Sequence, residues 1–140
     1  MTRIRPYRIL FSMLMVLLVG GSCTKAPIGS PSVRILGKWK KAKFATDDNS
    51  NGTLDSWEFR NANAAVVNTL EFKKDSTGME TSTGSPDLPF TWYINAEQTL
   101  TIEYNTGDAF FYKITRLDVG KLQITAKTQI GLAGYYYDAQ

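Results

Sequence analysis

Hydrophobic and polar residues alternate along most of the chain after Val33, in short segments separated by turn-forming residues. Apolar side chains at every second position are typical of β-strands that bury one face. The clearest example is segment 99–104, in which Leu100, Ile102 and Tyr104 alternate with polar residues. The apolar face predicted for the successive segments consists of Ile35, Gly37, Trp39, Leu70, Phe72, Phe90, Trp92, Ile94, Leu100, Ile102, Tyr104, Phe110, Tyr112, Ile114, Leu122, Ile124 and Ala126.

The connections between these segments are short and rich in Asn, Asp, Gly and Ser, as at 74–78 and 105–108. About eight strands joined by such turns predict an all-β, antiparallel up-and-down meander, and closing it into a barrel removes its exposed edges. One stretch departs from the alternation. Residues 57–67, from Trp57 to Val67, are rich in Ala and Asn and are predicted to form the one short helix.

The first 22 residues predict a secretory signal peptide. Residues 1–8 carry three arginines and no acid, 9–19 are apolar apart from Ser12, and 20–22 are small. A basic, an apolar and a small-residue segment in this order are typical of exported proteins. The apolar segment rises only about 16 Å as a helix, well short of the roughly 30 Å hydrocarbon core, so no permanent transmembrane helix is predicted.

Cys23 is the only cysteine of the chain and directly follows the small residues. This arrangement resembles a bacterial lipobox, in which the cysteine is acylated and becomes the first residue of the mature protein. The resemblance implies palmitate or similar acyl chains on Cys23, and several such chains anchor a protein stably to a membrane. The alternative is an ordinary secreted protein with one free, reactive thiol.

Residues 24–33 contain two Pro, one Gly and two Ser without apolar periodicity. They predict a short tether, so that 23–33 form the lipidated cysteine and tether and 34–140 form the domain. Thr24 follows the cysteine, and no acid occurs before Asp47. By the sorting rules of bacterial lipoproteins, these features imply an anchor in the outer membrane that faces the periplasm.

The charge balance changes once the signal peptide is set aside. The chain has 16 basic and 13 acidic residues, and three of the basic ones lie in 1–22, so the remainder is formally neutral. A neutral domain lacks the sustained positive surface that nucleic-acid binding requires, so no nucleic-acid partner is expected. The clustered Lys38, Lys40, Lys41 and Lys43 are predicted to form a solvated strand edge.

Composition also argues against an enzyme. The chain contains no histidine, which excludes Ser-His-Asp and Cys-His catalysis as well as His-ligated zinc. A single cysteine excludes an intrachain disulfide. No GxSxG nucleophile motif occurs. We therefore expect a non-enzymatic protein.

Residues 47–58, DDNSNGTLDSWE, match the calcium-loop pattern D-x-[DN]-x-[DN]-G-x₅-E at each specified position. In that pattern Gly52 provides the sharp turn. Ca²⁺ takes six to eight oxygen ligands, and this spacing wraps oxygens around one point. The predicted ligands are Asp47, Asn49, Asn51, the carbonyl of Thr53, Asp55 and Glu58.

Two interpretations of this loop remain open. The first is a structural Ca²⁺ site of weak affinity, roughly 10⁻⁴–10⁻³ M, because few ligands are ionised and no partner hand is visible. The second is an unoccupied polar turn, since Asp, Asn, Ser and Gly are the residues that turns are made of.

Several short motifs resemble the small lipocalin-like lipoproteins of bacteria. Gly37 and Trp39 look like the Gly-x-Trp signature that opens lipocalins, and the resemblance spans roughly residues 33–138. It implies a lipocalin-like β-barrel in which Trp39 packs across the closed end. The other segments that carry the resemblance are the Asp/Asn-Gly loop, 70–75, 91–94 and 112–117.

Two functions follow as hypotheses. The first is a membrane-anchored module that binds a small apolar or amphipathic ligand in the barrel. The second is a cell-envelope domain with a self-filled core that contacts another protein or a glycan, with Tyr135, Tyr136 and Tyr137 as a recognition surface. A small barrel is often filled by its own side chains, so each interior aromatic is also a core candidate. The predicted ligand-binding residues are Phe72, Met79, Trp92, Ile102, Tyr104 and Tyr112.

Overall fold

The computed structural model of the protein describes residues 29–140 with the exception of residue 130. One short helix, α1 (Pro31–Arg34), precedes the strands. A single 3₁₀ turn, Ser56–Glu58, lies between the first two of them. The strands are β1 (Gly37–Thr46), β2 (Phe59–Asn61), β3 (Asn68–Phe72), β4 (Thr77–Ser82), β5 (Leu88–Ile94), β6 (Thr99–Tyr104), β7 (Ala109–Asp118), β8 (Lys121–Thr128) and β9 (Gly131–Ala139).

The strands form one antiparallel sheet that closes on itself. From β3 to β9 each strand pairs with the next, and β9 pairs with β1. The first half of β1 pairs with β3, and its second half pairs with the three-residue β2, so β2 lies outside the ring. The barrel therefore has eight strands, β1 and β3–β9, and the predicted all-β antiparallel barrel is confirmed.

The end of the barrel where β1 begins is closed. Trp39 is buried there, and its indole Nε1 donates a hydrogen bond to the carbonyl of Ile35 at 2.7 Å. The Arg34 guanidinium of α1 donates to the carbonyl of Leu117 at the end of β7. These two bonds hold α1 across this end of the barrel, because they link Arg34 and the following Ile35 to β7 and β1. The structural role predicted for Trp39 is thus confirmed.

Side chains fill the half of the interior next to α1. The rings of Phe72, Phe90 and Trp92 meet edge to face, with centroids 5.4 and 5.5 Å from Phe72. Such contacts are a favoured aromatic geometry. The core consists of Ile35, Trp39, Leu70, Phe72, Phe90, Trp92, Leu100, Ile102, Ile114, Leu117, Leu122, Ile124 and Tyr137. The alternation along the strands predicts these residues apart from Leu117 and Tyr137, whereas Gly37 and Phe110, predicted on the same face, are exposed.

The helix predicted over 57–67 is wrong. Only the 3₁₀ turn Ser56–Glu58 is helical there, and it leads directly into β2. Phe59 pairs with Ala45 and meets the ring of Tyr136 edge to face, with centroids 4.9 Å apart. Tertiary contacts with the barrel wall therefore outweigh the helix preference of the alanines that follow.

The predicted signal peptide, Cys23 and the first part of the tether lie outside the described residues. Within the remainder of the predicted tether, α1 begins at Pro31, where proline suits the first turn of a helix. In the part of the chain that the structure describes, no helix has both the length and the apolar character needed to cross a membrane.

Candidate functional site

A cavity of about 370 Å³ occupies the half of the barrel away from α1. Its apolar wall is formed by Leu70, Ile102 and Ile124. Residues of the far rim, such as Leu88 and Phe110, also line it. The interior is thus packed at one end and hollow at the other, as in barrels that hold a ligand.

Lys41 points into this cavity. Its ammonium Nζ lies 5.2 Å from the ring centre of Tyr135 and 6.0 Å from that of Tyr137. Lys41 stands two residues after Trp39 and therefore lies on the same face of β1. The pairing of β1 with β9 shifts by one residue only beyond this point, between Lys41 and Lys43. The solvated strand edge predicted for the lysines is therefore wrong at Lys41. β1 has partners on both sides, and the Lys41 side chain is half-buried.

Two acids line the cavity, Glu80 and Asp108, and both oxygens of Glu80 accept hydrogen bonds. One carboxylate oxygen accepts a hydrogen bond from Asn68 Nδ2 at 2.7 Å, and the other accepts one from the hydroxyl of Tyr104. The side-chain oxygen of Asn68 is buried and has no protein partner. Burial lowers the pKa of the Lys41 ammonium, and the nearby Glu80 partly opposes this effect.

Four tyrosines complete the polar part of the wall. Tyr135 and Tyr137 lie on the inner face of β9, and Tyr112 on β7 meets Tyr135 edge to face at 6.1 Å. Burial raises the pKa of Tyr104 and of Tyr112, and it raises that of Tyr137 most clearly because this side chain is only 5% exposed. The hydroxyls of Tyr104, Tyr112 and Tyr137 therefore stay protonated at neutral pH and can donate hydrogen bonds, as that of Tyr104 does to Glu80.

The predicted ligand-binding residues fall into three groups. Ile102, Tyr104 and Tyr112 line the cavity. Phe72 and Trp92 are buried and pack against each other in the filled half of the barrel, so they belong to the core.

Met79 was placed on the wrong face. It pairs with Glu71 and Pro89 on the outer surface of β4, because the neighbouring Gly78 and Glu80 take the inner positions opposite Phe72 and Leu70.

Sequence reasoning missed Lys41 and Glu80. Both are charged, and charged residues are almost never assigned to a barrel interior. A signal was nevertheless present. Lys41 stands two residues after Trp39 and Glu80 two residues after Gly78, so simple strand alternation puts both on the inner face.

The loop 47–58 lies at the cavity end of β1 and is closed by its own hydrogen bonds. Asp47 is buried, and its two carboxylate oxygens accept backbone N–H groups of Asn51 at 3.0 Å and Gly52 at 2.9 Å. Its own amide donates to the carbonyl of Leu132 at 2.8 Å, which ties the loop to β9. Asn49 and Asn51 each accept a backbone N–H two residues further on, the Asx-turn arrangement.

Glu58 holds the other end of this loop. It is fully buried, and its two carboxylate oxygens accept the amides of Asp48 at 2.8 Å and Asp55 at 2.7 Å. One oxygen of Asp55 accepts the side-chain amides of Asn49 and Asn51, both at 3.0 Å. Each predicted acidic ligand thus already has donors from the loop. Across 29–140, apart from residue 130, no three His, Cys, Asp or Glu side chains are grouped so as to hold a metal.

Residues that follow Gly52 pack the loop against the outside of the barrel. A Cβ on Gly134 of β9 would lie 2.5 Å from Cδ1 of Leu54, so Leu54 rests directly on the glycine backbone. Phe59 covers Tyr136 beside it, and the hydroxyl of Tyr136 accepts a hydrogen bond from Gln123 Nε2 at 2.7 Å. Tyr136 therefore belongs to a packed outer layer, while its two tyrosine neighbours face the interior.

An eight-stranded antiparallel barrel with one sealed end and one hollow end defines the class of calyx-shaped binding domains. The sequence profile of the lipocalin-like domain family matches residues 35–124. The chain belongs to this family, whose members are generally binding proteins rather than enzymes, so the fold suggests a ligand-binding module. No curated protein matches the chain.

Proposed function

We propose that the protein binds a small amphipathic molecule inside the barrel. The observation that carries this proposal is the cavity of about 370 Å³, in which an apolar wall faces polar groups. Ile102 and Ile124 offer the apolar surface, and Lys41, Glu80 and Tyr104 offer the polar groups. Pockets for small ligands combine these two features, because apolar burial supplies affinity and a few polar groups fix orientation.

Native mass spectrometry of the purified protein tests the proposal. We expect a co-purified or added amphiphile to bind with one-to-one stoichiometry. An Ile102→Trp variant fills the cavity and abolishes binding. Tyr93→Trp, at an exposed position of β5, is the matched control and retains binding. A protein that stays empty with every amphiphile offered, and that is captured only with other envelope proteins on crosslinking, supports the interaction domain instead.

We propose further that acyl chains on Cys23 anchor the barrel to the outer membrane on its periplasmic side. The signal-like segment 1–22 and the single cysteine support this proposal. Metabolic labelling with an alkyne fatty acid, followed by membrane fractionation, tests it. The label is expected in the wild type and not in Cys23→Ser, which is released in soluble form. Equal labelling of both proteins, or none of the wild type, contradicts the anchor.

The loop 47–58 is proposed as a weak Ca²⁺ site. Support comes from its side-chain oxygens. Asn49, Asn51 and Asp55 lie within hydrogen-bond distance of one another, and Asp47 lies at the base of the same turn. Coordination requires the two asparagines to present their oxygens in place of the amides that now face Asp55. It also requires Glu58 to share oxygens with the ion, so we expect affinity at the weak end, roughly 10⁻⁴–10⁻³ M.

Calorimetric titration with Ca²⁺ distinguishes a loop that binds the ion from a loop that is closed only by its own hydrogen bonds. The wild type is expected to release heat that Asp55→Asn removes. Asp75→Asn, in the exposed turn between β3 and β4, is the control and leaves the heat unchanged. A wild type without heat at millimolar Ca²⁺ refutes the site.

A further inference from the structure

The barrel wall is open between β7 and β8 at the hollow end. The two strands pair from Asp118↔Lys121 as far as Lys113↔Thr125. Continued register would place Tyr112 opposite Ala126, but the pairing stops before this point. Ala109–Lys113 nevertheless stays paired with β6, and 126–128 stay paired with β9. The two strands therefore separate as ordered strands and leave a gap at the rim, which we call the β7–β8 gap.

The β7–β8 gap holds a second cavity, of about 720 Å³, with mainly apolar walls. Phe110 and Phe111 on its β7 side are 46% and 62% exposed, and Ala126 and Leu132 lie on the other side. Its charged lining residues are Lys113 and Lys127, with no acid among them. An exposed apolar slot bordered by positive charge is complementary to an apolar chain that carries a negative group.

The gap leads to the inner cavity. Phe110, Tyr112 and Tyr135 line both spaces. The ring of Tyr135 also lies 5.2 Å from Lys41 Nζ. The two spaces therefore adjoin at Tyr112 and Tyr135, whose rings meet edge to face with centroids 6.1 Å apart, and the Lys41 ammonium lies on the inner side of these rings.

Among the described residues, Lys41 has no charged partner on the inner side of these rings. In the described part of the chain no carboxylate lies within ion-pair distance of its Nζ, and its neighbours there are the faces of two aromatic rings. Glu80 differs, because its oxygens already accept hydrogen bonds from Asn68 and Tyr104. Asp108, the other acid of the lining, accepts a hydrogen bond from Thr106 at 2.9 Å. Among the charged side chains that line the inner cavity, Lys41 is therefore the one without a hydrogen-bond partner, and a half-buried cation favours an anionic partner.

We propose that the ligand is an anionic amphiphile whose charged group lies beside Lys41 and whose alkyl chain lies in the β7–β8 gap. This assignment rests on the ligand-binding function proposed above. The tyrosine hydroxyls beside Lys41 are further donors for the charged group, and Phe110, Ala126 and Leu132 cover the chain. The amphiphile then enters through the side of the barrel, which requires the rings of Tyr112 and Tyr135 to separate.

Calorimetry of the purified protein with two probes of equal chain length, dodecanoate and dodecanol, tests the charge. The wild type is expected to bind dodecanoate more tightly. Lys41→Met should lower the affinity for dodecanoate about tenfold, which is the size of one charge-assisted contact. The affinity for dodecanol should stay almost unchanged. Lys41→Arg should restore most of the dodecanoate affinity. Equal affinity of both probes for wild type and Lys41→Met overturns the anionic assignment and leaves the ligand-binding function standing.

A pair of alanine substitutions tests the gap. Ala126→Phe plugs it and should weaken dodecanoate binding, whereas Ala96→Phe, in the exposed turn at the closed end, should not. Circular dichroism and thermal melts check that both variants fold. Unchanged dodecanoate affinity and association rate in folded Ala126→Phe overturn the lateral route. Failure of the wild type to bind either probe overturns the ligand-binding function itself.

Discussion

Glu58 shows how one buried carboxylate organises a polar loop. Its two oxygens accept amides that lie seven residues apart, at Asp48 and Asp55, so it closes the loop at both ends. A fully buried carboxylate is tolerated when donors surround it, because hydrogen bonds offset its desolvation. The same residue serves the loop whether or not an ion binds there.

Substitution Glu58→Gln should destabilise the fold by about 2 kcal/mol, because its amide nitrogen meets a backbone N–H and leaves that donor without an acceptor. Urea unfolding followed by circular dichroism measures the change. Glu97→Gln, at an exposed turn position, is the control and should alter stability by less than about 0.5 kcal/mol. Equal stability of the two variants would show that the carboxylate does not hold the loop.

Lys41 represents the opposite case, a half-buried charge that costs stability. Burial lowers its folded-state pKa below the ordinary value of 10.5. The unfolded chain then binds the proton more tightly, so the free energy of unfolding rises with pH up to about 10.5 and is reduced at neutral pH. Such a cost is typical of residues kept for binding.

Lys41→Met should therefore raise the free energy of unfolding at pH 7, by about 1 kcal/mol, the low end of gains seen when buried ionised groups are replaced by apolar ones. This gain in stability should shrink as the pH approaches 10.5, the ordinary pKa of lysine. Urea titrations of both proteins at neutral and alkaline pH measure this difference. Lys40→Met, on the exposed face of β1, should show no such trend. If Lys41→Met is less stable than the wild type at pH 7, the buried charge of Lys41 does not cost stability.

At the level of single elements, strand alternation is predictable from sequence and strand irregularity is not. Leu100 and Ile102 alternate with polar residues and are buried as predicted. The bulge after Lys41 and the end of pairing at Lys113 leave no local signature, because they depend on which strand lies opposite. β2 was missed for the same reason, since Phe59 owes its conformation to β1 and Tyr136.

Two glycines of the sheet should respond differently to Ala. A Cβ at Gly78 would lie 2.1 Å from the Phe90 ring and 2.5 Å from the backbone oxygen of Glu71, so Gly78→Ala should cost about 3 kcal/mol. At Gly134 the close neighbour is the mobile end of Leu54, and about 1 kcal/mol is expected. Thermal and urea unfolding measure both.

A double-mutant cycle identifies the cause at Gly134. In a Leu54→Ala background the cost of Gly134→Ala should fall close to zero, because the clashing methyl group is gone. The cost of Gly78→Ala should be the same in both backgrounds. If the Gly134→Ala cost persists without Leu54, the loop does not rest on this glycine.

For the whole molecule, the closure of the barrel can be predicted from the number of regular strands in the sequence. The position of the hollow half of the barrel cannot. The residues that fill the closed half, such as Phe72 and Trp92, and those that line the cavity, such as Tyr104, follow the same alternation. Sequence pattern gives the face of a residue but not its height in the barrel relative to the sealed end. The split between core and binding residues therefore becomes visible only in three dimensions.

The same polar interior should limit the stability of the whole barrel at alkaline pH. Burial raises the pKa of Tyr104, Tyr112 and Tyr137 above the ordinary value of 10. Above that pH the unfolded chain releases protons that the folded barrel retains, so the unfolded state is favoured progressively as the pH rises from 10 toward the folded-state values. Below pH 10 these groups are protonated in both states and contribute no pH dependence.

Above pH 10 we expect the phenolate absorbance of the buried tyrosines to increase while the far-ultraviolet circular dichroism decreases. The two changes should coincide, because the buried hydroxyls ionise only when the barrel opens. Tyr137→Phe removes the most buried of them and should move the midpoint to higher pH. Tyr93→Phe, at a position that is 52% exposed, removes a hydroxyl outside the interior and should leave the midpoint in place. If all the tyrosines of the wild type ionise while the circular dichroism is intact, burial does not keep these hydroxyls protonated in the folded barrel.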